Sequence, residues 1–227
     1  MFTQSASWNK NYPAAAIGVL AMSGVANPKE NEALNEQKEA LEASLREQFG
    51  GTDRAVLRAL PSIQPYDAYY KRFKKTYHVQ HQLESVALKG KPIPRAAALV
   101  EAMFMAELKN QLLTAGHDLE VVQQPVGVNV AEGSEQYVGI SGRELLTKRG
   151  DMMIADAGGI ISSIIYGPDR RTCISAKTEQ ALFTTYAPKG IAEEAVAAHL
   201  NDIVAYVRLI SPEAVVELLQ VYTANSG

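Results

Sequence analysis

The sequence predicts an α+β protein, a mostly antiparallel mixed sheet flanked by helices, and three observations carry that expectation. Stretches with apolar residues at spacings of three and four occupy the first half and return near the C-terminal end. Short β-type segments separated by Gly, Asp and Ser follow Gly116. The 227 residues are 47% apolar, which is enough for a real core and too much for general disorder.

The elements follow in chain order. Ala14 to Val25 is an apolar run ending in Ser23-Gly24, a buried strand. Asn27-Pro28 reads as an N-cap with Pro in the first turn of a helix from about Lys29 to Phe49. Leu34, Leu41, Leu45 and Phe49 share one side of it, and Gly50-Gly51 stops it. Tyr66 to Tyr77 reads YDAYYKRFKKTY, with an apolar stripe of Tyr66, Tyr69 or Tyr70, Phe73 and Tyr77 at helical spacing. His78 to Leu88 forms a short helix, and Lys89 to Pro94 a turn with two proline-fixed φ angles. Arg95 to Leu113 is so apolar around its circumference that it belongs at the centre of the fold, with Glu101 inside it.

β-type segments come next, around Val121-Val122, Val126 to Val130, Tyr137 to Ile140, Met152 to Ala155, Ile160 to Ile165 and Leu182 to Tyr186. Ala157-Gly158-Gly159 is a hairpin turn after Asp156. Ala192 to Ile210 is a clean amphipathic helix, and Ser211-Pro212-Glu213 reads as the capped start of a final one. The expected organisation is a strand and helix over 1–52, a core over 53–210 in the same compact unit, and a C-terminal helix over 211–227.

Charge and cysteine narrow the functions. Twenty-two basic residues against 25 acidic ones leave a net charge of −3, so nucleic-acid binding must be local and not a bulk effect. Cys173 is the single cysteine, which fits a reducing compartment, and beside Ile174 it reads as a small buried apolar residue. The short apolar stretch Ala14 to Met22 follows a largely polar segment interrupted by Tyr12-Pro13, so it reads as a buried strand and not as a signal core, and no run approaches the length of a membrane span; the expectation is a cytoplasmic protein.

The chemistry-bearing residues are few. There is no paired Cys/His spacing, phosphate loop, dinucleotide fingerprint or nucleophile elbow, so no metal and no cofactor is expected. His117-Asp118 is a base with an orienting group or, more simply, a loop His capping a helix end. In Gly167-Pro168-Asp169-Arg170-Arg171-Thr172 two adjacent arginines either grip a carboxylate or phosphate or decorate a solvated hairpin tip. Lys71, Arg72, Lys74 and Lys75 lie between aromatics, as in RNA-binding segments; a helix with a basic outer face accounts for them equally.

A family resemblance then emerges from motif order. LESVALKGKPIPRAAALVEAMFMAELKNQLLTAGHDLE, GDMMIADAGGIISSIIYGPDRRTCIS and ALFTTYAP follow one another between about Arg54 and Ile210. This stretch resembles stand-alone relatives of the tRNA-editing module of the bacterial phenylalanyl-tRNA synthetase beta subunit. Lys89 to Pro92, Glu101, Gly116, Asp118-Leu119, Asp156 and Asp169 carry the likeness. Where that family has Thr-Asn after the helix acid, this chain has Met103-Phe104; where it has Pro, a variable residue and His, it has Leu113, Thr114 and Ala115.

The resemblance implies a pocket between the central helix and the sheet, framed by Glu101, Asp118, Asp156, Asp169, Arg170 and Arg171. It implies a binding module for an amino-acid-like ligand or the aminoacyl end of tRNA. The alternatives are a trans-acting hydrolase of misacylated tRNA and a non-enzymatic protein-interaction domain. Neither DNA nor a membrane is an expected partner, and the sequence does not specify an oligomeric state.

Overall fold

A computed structural model describes residues 2–224. Two sheets and a helical layer share one principal core. The central sheet has the order β11-β2-β10-β3 and is antiparallel throughout, from β2 (Ala16–Ser23), β3 (Leu113–Asp118), β10 (Gln180–Ala187) and β11 (Val215–Thr223). Seven of the eight residues of β2 are buried, as expected of a strand covered on both faces.

Helices α6 (Ala98–Asn110) and α7 (Glu193–Ile210) cover one face of this sheet. Their approach is close at Gly18, where a Cβ would lie 2.6 Å from Cγ1 of Val196; only glycine lets α7 sit there. Outside them lies α2 (Glu32–Phe49), which packs on both. On the other face is the sheet β1-β4-β7-β8-β9, made of β1 (Phe2–Gln4), β4 (Val126–Val130), β7 (Met152–Asp156), β8 (Gly159–Ser163) and β9 (Gly167–Pro168). β1 runs parallel to β4 and the other pairs are antiparallel. Across the interface Ser162 Oγ lies 2.7 Å from the Tyr186 hydroxyl, and Phe2 packs its ring on Tyr222.

A small hairpin, β5 (Gln136–Val138) and β6 (Glu144–Leu146), folds over the second sheet. Its inward Tyr137 and Leu145 join Ala131, Met153, Ile160 and Tyr166 in a satellite cluster. Short helices α1 (Ala6–Asn11), α3 (Arg54–Arg58), α4 (Gln64–Arg72) and α5 (His78–Leu83) complete the chain, and α5 runs on as a π-turn through Leu88. α1 anchors through Trp8, fully buried, its indole N–H 3.3 Å from Sδ of Met152.

The α+β class, the antiparallel sheet, the hairpin at Asp156 and the buried central helix agree with the sequence reading. Five elements differ. The segment after Ser211 is not a helix but β11, whose last residue precedes the final three positions of the expected helix, which lie outside the described residues. Ser211-Pro212 does turn the chain, yet the VVELLQVYT that follows is rich in β-branched and aromatic residues and fits the open edge of β2. α2 is capped by Asn31, which accepts from the Leu34 amide; Asn27 instead accepts from the Leu99 amide in the first turn of α6. The tyrosine-rich helix ends at Phe73, because Lys74 has φ 56°, and Tyr77 sits before α5. α6 ends earlier than expected, at a left-handed Gln111, so that Leu113 begins β3; Val121-Val122 is loop.

Candidate functional site

β3 runs beside β10 to the end of the central sheet, where the 167–173 turn folds over it through a bridge between His117 and Cys173. That junction collects most of the predicted acids. Asp118 accepts from the Thr178 hydroxyl at 2.7 Å and from the Glu120 amide, while its own amide donates to the Thr172 carbonyl. Asp156, at the end of β7, receives both terminal nitrogens of Arg171, at 2.7 and 3.0 Å, and the amides of Gln123 and Gly158. Burial pushes the Asp156 carboxyl up, but these donors outweigh it and hold it below its ordinary range. Asp169 accepts from the Thr172 amide and hydroxyl, and Arg171 Nε lies 3.7 Å from it.

Thr172 is therefore a relay. Its hydroxyl donates to Asp169, so it receives the Nδ1–H of His117, 2.8 Å away. This assigns the imidazole its tautomer and leaves Nε2 a bare acceptor, fully buried and without a hydrogen-bond partner. Burial depresses the His117 pKa to about 3, so the ring is neutral. His117 is thus neither a loop residue nor a helix cap, and its orienting group is Thr172 backed by Asp169, not Asp118. The adjacency of Asp169 and Thr172 in one short turn was the sequence signal for this link.

Two predicted residues lie apart from the junction. Glu101 sits in the first turns of α6, where it accepts from Lys38 of α2 at 2.6 Å and from the Ala96 amide. Both members of that ion pair are almost fully buried. Glu101 and Asp169 have no partner in common among these bonds. Arg170 turns outward: its amide donates to Val138, and its guanidinium lies over Gly142 at the tip of the β5–β6 hairpin. At Gly116 the side chains between α6 and β3 pack closely. A Cβ on Gly116 would meet Cδ1 of Ile174 at 2.8 Å, Sδ of Met103 at 3.3 Å and the Phe183 ring at 3.5 Å, so side chains fill that space. A cleft of about 620 Å³ opens elsewhere, between Leu60, Leu112, Ile191 and the start of α7, and holds none of the predicted residues.

The basic segment also resolves into parts. Tyr66, Tyr69, Tyr70 and Tyr77 are core residues in ring contact with one another, Tyr66 stacked on Tyr77 and the other pairs tilted or edge-on, and are closed to any base. Lys71 pairs with Asp67 at 2.8 Å. Arg72 lies over the rings of Tyr12, Tyr69 and Phe73, and Lys75 over the ring of Tyr166; Lys74 stands exposed beside them. These cations have neighbours the sequence reading missed. Arg72 lies 3.7 Å from the Cβ position of Gly150, next to exposed Lys148 and Arg149. Tyr166, under Lys75, packs on the base of the hairpin that carries exposed Arg143 at its turn and Arg170 alongside. Three basic residues within 143–149 were the available signal.

Among the described residues there is no group of His, Cys, Asp or Glu arranged to hold a metal ion, and no helix long and apolar enough to cross a membrane. No protein-family model matches the chain, and no curated protein matches it by sequence. Among solved structures it is similar to an N-terminal fragment of the phenylalanyl-tRNA synthetase beta-subunit from Pyrococcus horikoshii, at 10% identity and a TM-score of 0.48. The match covers 97% of this chain and 50% of that one, so the chain spans about half the length of that structure. At that likeness, function rests on the residues themselves.

Proposed function

We propose that this chain is a non-hydrolytic RNA-binding module, with tRNA as the expected partner, and that RNA lies on a cationic face built around the β5–β6 hairpin. One observation carries the reading: Arg72, Lys74 and Lys75, then Arg143, Lys148 and Arg149, then Arg170 come from three separated segments to one side of a chain whose net charge is −3. Exposed acids in those stretches are fewer, Glu132 and Glu144, and Glu135 is turned inward onto the Glu132, Gly133 and Ser134 amides and the Thr147 hydroxyl. Local positive charge of this kind recognises a phosphate backbone by displacing its counterions. Phe73 and Tyr166, half-buried at its margin, add ring surface.

Hydrolysis fits the geometry less well. The candidate carboxylates are occupied by Arg171, Thr172, Thr178 and Lys38, and Ile174, Met103 and Phe183 crowd the backbone at Gly116. Titration of labelled, unacylated tRNA followed by fluorescence anisotropy tests the proposal, with release of amino acid from aminoacyl-tRNA measured in parallel. Saturable binding without accelerated release is expected. No binding at low salt, or release faster than the uncatalysed rate, contradicts it.

A second reading, an amino-acid-like ligand framed by Asp118, Asp156, Asp169 and Arg171, is favoured by the bare Nε2 of His117, a buried acceptor awaiting a donor. A depression of about 280 Å³ beside Thr178, lined by Ala26, Asn27 and Lys177, lies next to that network. A thermal-shift screen of amino acids and aminoacyl analogues tests it, since a ligand at ~100 times its Kd adds ~2.7 kcal/mol of stability.

A further inference from the structure

We infer that the outward face of the β5–β6 hairpin is a seat for unpaired nucleotides, so that the protein takes single-stranded or looped RNA in preference to duplex; the inference rests on the RNA-binding proposal and adds the form of the RNA. The face follows from strand alternation. Tyr137 and Leu145 point inward to Met153 and Ile160, so Gln136 and Val138 on β5, with Leu146 and Glu144 opposite them on β6, point out. Val138 and Leu146 are 42 and 53% exposed, and Ile140, which follows at the turn, is 57% exposed. None of the three belongs to either apolar cluster of the core. They are half of the six large apolar side chains exposed to this degree among the described residues, and one short hairpin carries all three. Apolar exposure gathered in this way marks a binding surface, whereas single exposed residues do not.

The charges around the patch are complementary to one form of RNA. The Arg170 amide donates to the Val138 carbonyl at 2.8 Å, and its guanidinium lies 3.1 Å from the Cβ position of Gly142, so this cation follows the margin of the patch from strand to turn. Exposed Arg143 stands at the same turn, and exposed Lys148 and Arg149 follow β6. The patch therefore has an apolar centre and a cationic margin. An RNA duplex turns its phosphates and riboses outward and covers its base planes, so it satisfies the margin and leaves the centre against polar backbone. Unpaired nucleotides offer both, phosphates for the cations and base planes for Val138, Ile140 and Leu146. Glu144 also lies on this face, directly opposite Val138. Its carboxylate repels a phosphate but accepts from the amino group of an unpaired base, which favours bases over the centre and backbone along Arg143 and Arg170.

Fluorescence anisotropy of the full chain with three labelled probes at one salt concentration tests this: a single-stranded RNA of mixed sequence, the same strand annealed to its complement, and a peptide alternating Glu and Leu. The single strand is expected to bind at least ~10-fold tighter than the duplex. The duplex carries more phosphates, so charge alone gives the opposite order. Val138→Ser with Leu146→Ser should weaken single-strand binding about tenfold and leave its salt slope unchanged, because no cation is removed. Ile140→Ser alone, which leaves both strands unaltered, should act in the same direction. Equal affinity for single strand and duplex overturns the inference and leaves RNA binding in place, and so does a double variant that binds the single strand as the wild type does. Failure to bind either RNA at low salt overturns the RNA-binding proposal and the inference with it. Tightest binding to the peptide, lost in the double variant, makes the occupant an acidic apolar protein segment and overturns the inference as well.

Discussion

His117 donates its Nδ1–H to the Thr172 hydroxyl across 2.8 Å, and Thr172 passes its own proton toward Asp169. Strand β3 and the 167–173 turn are thereby joined by a chain of three side chains, and the imidazole is held neutral inside the protein. Because burial lowers the His117 pKa from 6.5 to about 3, the unfolded chain binds the extra proton between those values and stability rises with pH across that window. Replacing the ring by an amide removes that dependence. Urea unfolding of wild type and His117→Gln from pH 4 to 7 should show the wild type gaining stability more steeply as pH rises.

The Arg171–Asp156 pair closes the junction, with the carboxylate buried and the guanidinium about one-third exposed. Asp156→Ala strands a partly buried guanidinium and frees the Gln123 and Gly158 amides. The expected loss is about 1–3 kcal/mol, below that of a fully buried pair because water reaches Arg171. The depressed Asp156 pKa makes its share of stability present above the ordinary carboxylate range and lost as pH falls below it. Denaturant midpoints at pH 7 and pH 3 should therefore differ less in Asp156→Ala than in wild type.

Lys38 and Glu101 are both almost fully buried, so solvent does not repair the loss of either. Lys38→Ala should cost about 3–5 kcal/mol by leaving the carboxylate unpaired. Lys38→Met with Glu101→Gln should recover most of that loss, because the amide still accepts from Ala96 and no charge remains. Equilibrium unfolding of the single and double variants measures both effects; a Lys38→Ala change of only a few tenths of a kcal/mol would place the pair in solvent.

Glu107 lies in the core between α6 and β3, where its carboxyl accepts from the Thr114 amide at 2.7 Å. Burial raises its pKa from 4.5 to about 8, only partly opposed by that amide. The folded protein holds the proton that the unfolded chain releases, so this contribution is complete below pH 4.5 and declines as pH rises to about 8. Glu107→Gln keeps an acceptor for Thr114 and removes the titration. Its thermal midpoint should exceed that of wild type at pH 8–9, with the advantage vanishing near pH 4.

Much of the fold was legible because periodicity and turn chemistry agreed with packing. The apolar circumference of α6 required a central place, and Ala157-Gly158 turned β7 into β8 as a two-residue loop does. The reading failed where a local signal met a stronger tertiary one. Ser211-Pro212-Glu213 resembles a helix start, but the open edge of β2 accepts VVELLQVYT as a strand. Within the site, the turn motif correctly located a carboxylate-gripping arginine, Arg171, although the carboxylate is the protein's own Asp156. Glu101 and Asp169 are conspicuous acids in sequence, yet the partner that occupies Glu101, Lys38 of α2, is a contact between distant segments that the sequence does not display.

The cationic face is tested most directly by the salt dependence of tRNA binding. Each phosphate neutralised contributes about −0.7 to −0.9 to the slope of log K against log salt concentration. Arg143, Lys148, Arg149 and Arg170 are exposed, so their replacement by Ala should leave the fold intact while reducing the slope by about 3. Equal slopes for wild type and the fourfold variant would contradict the proposal and move any bound RNA to a different surface.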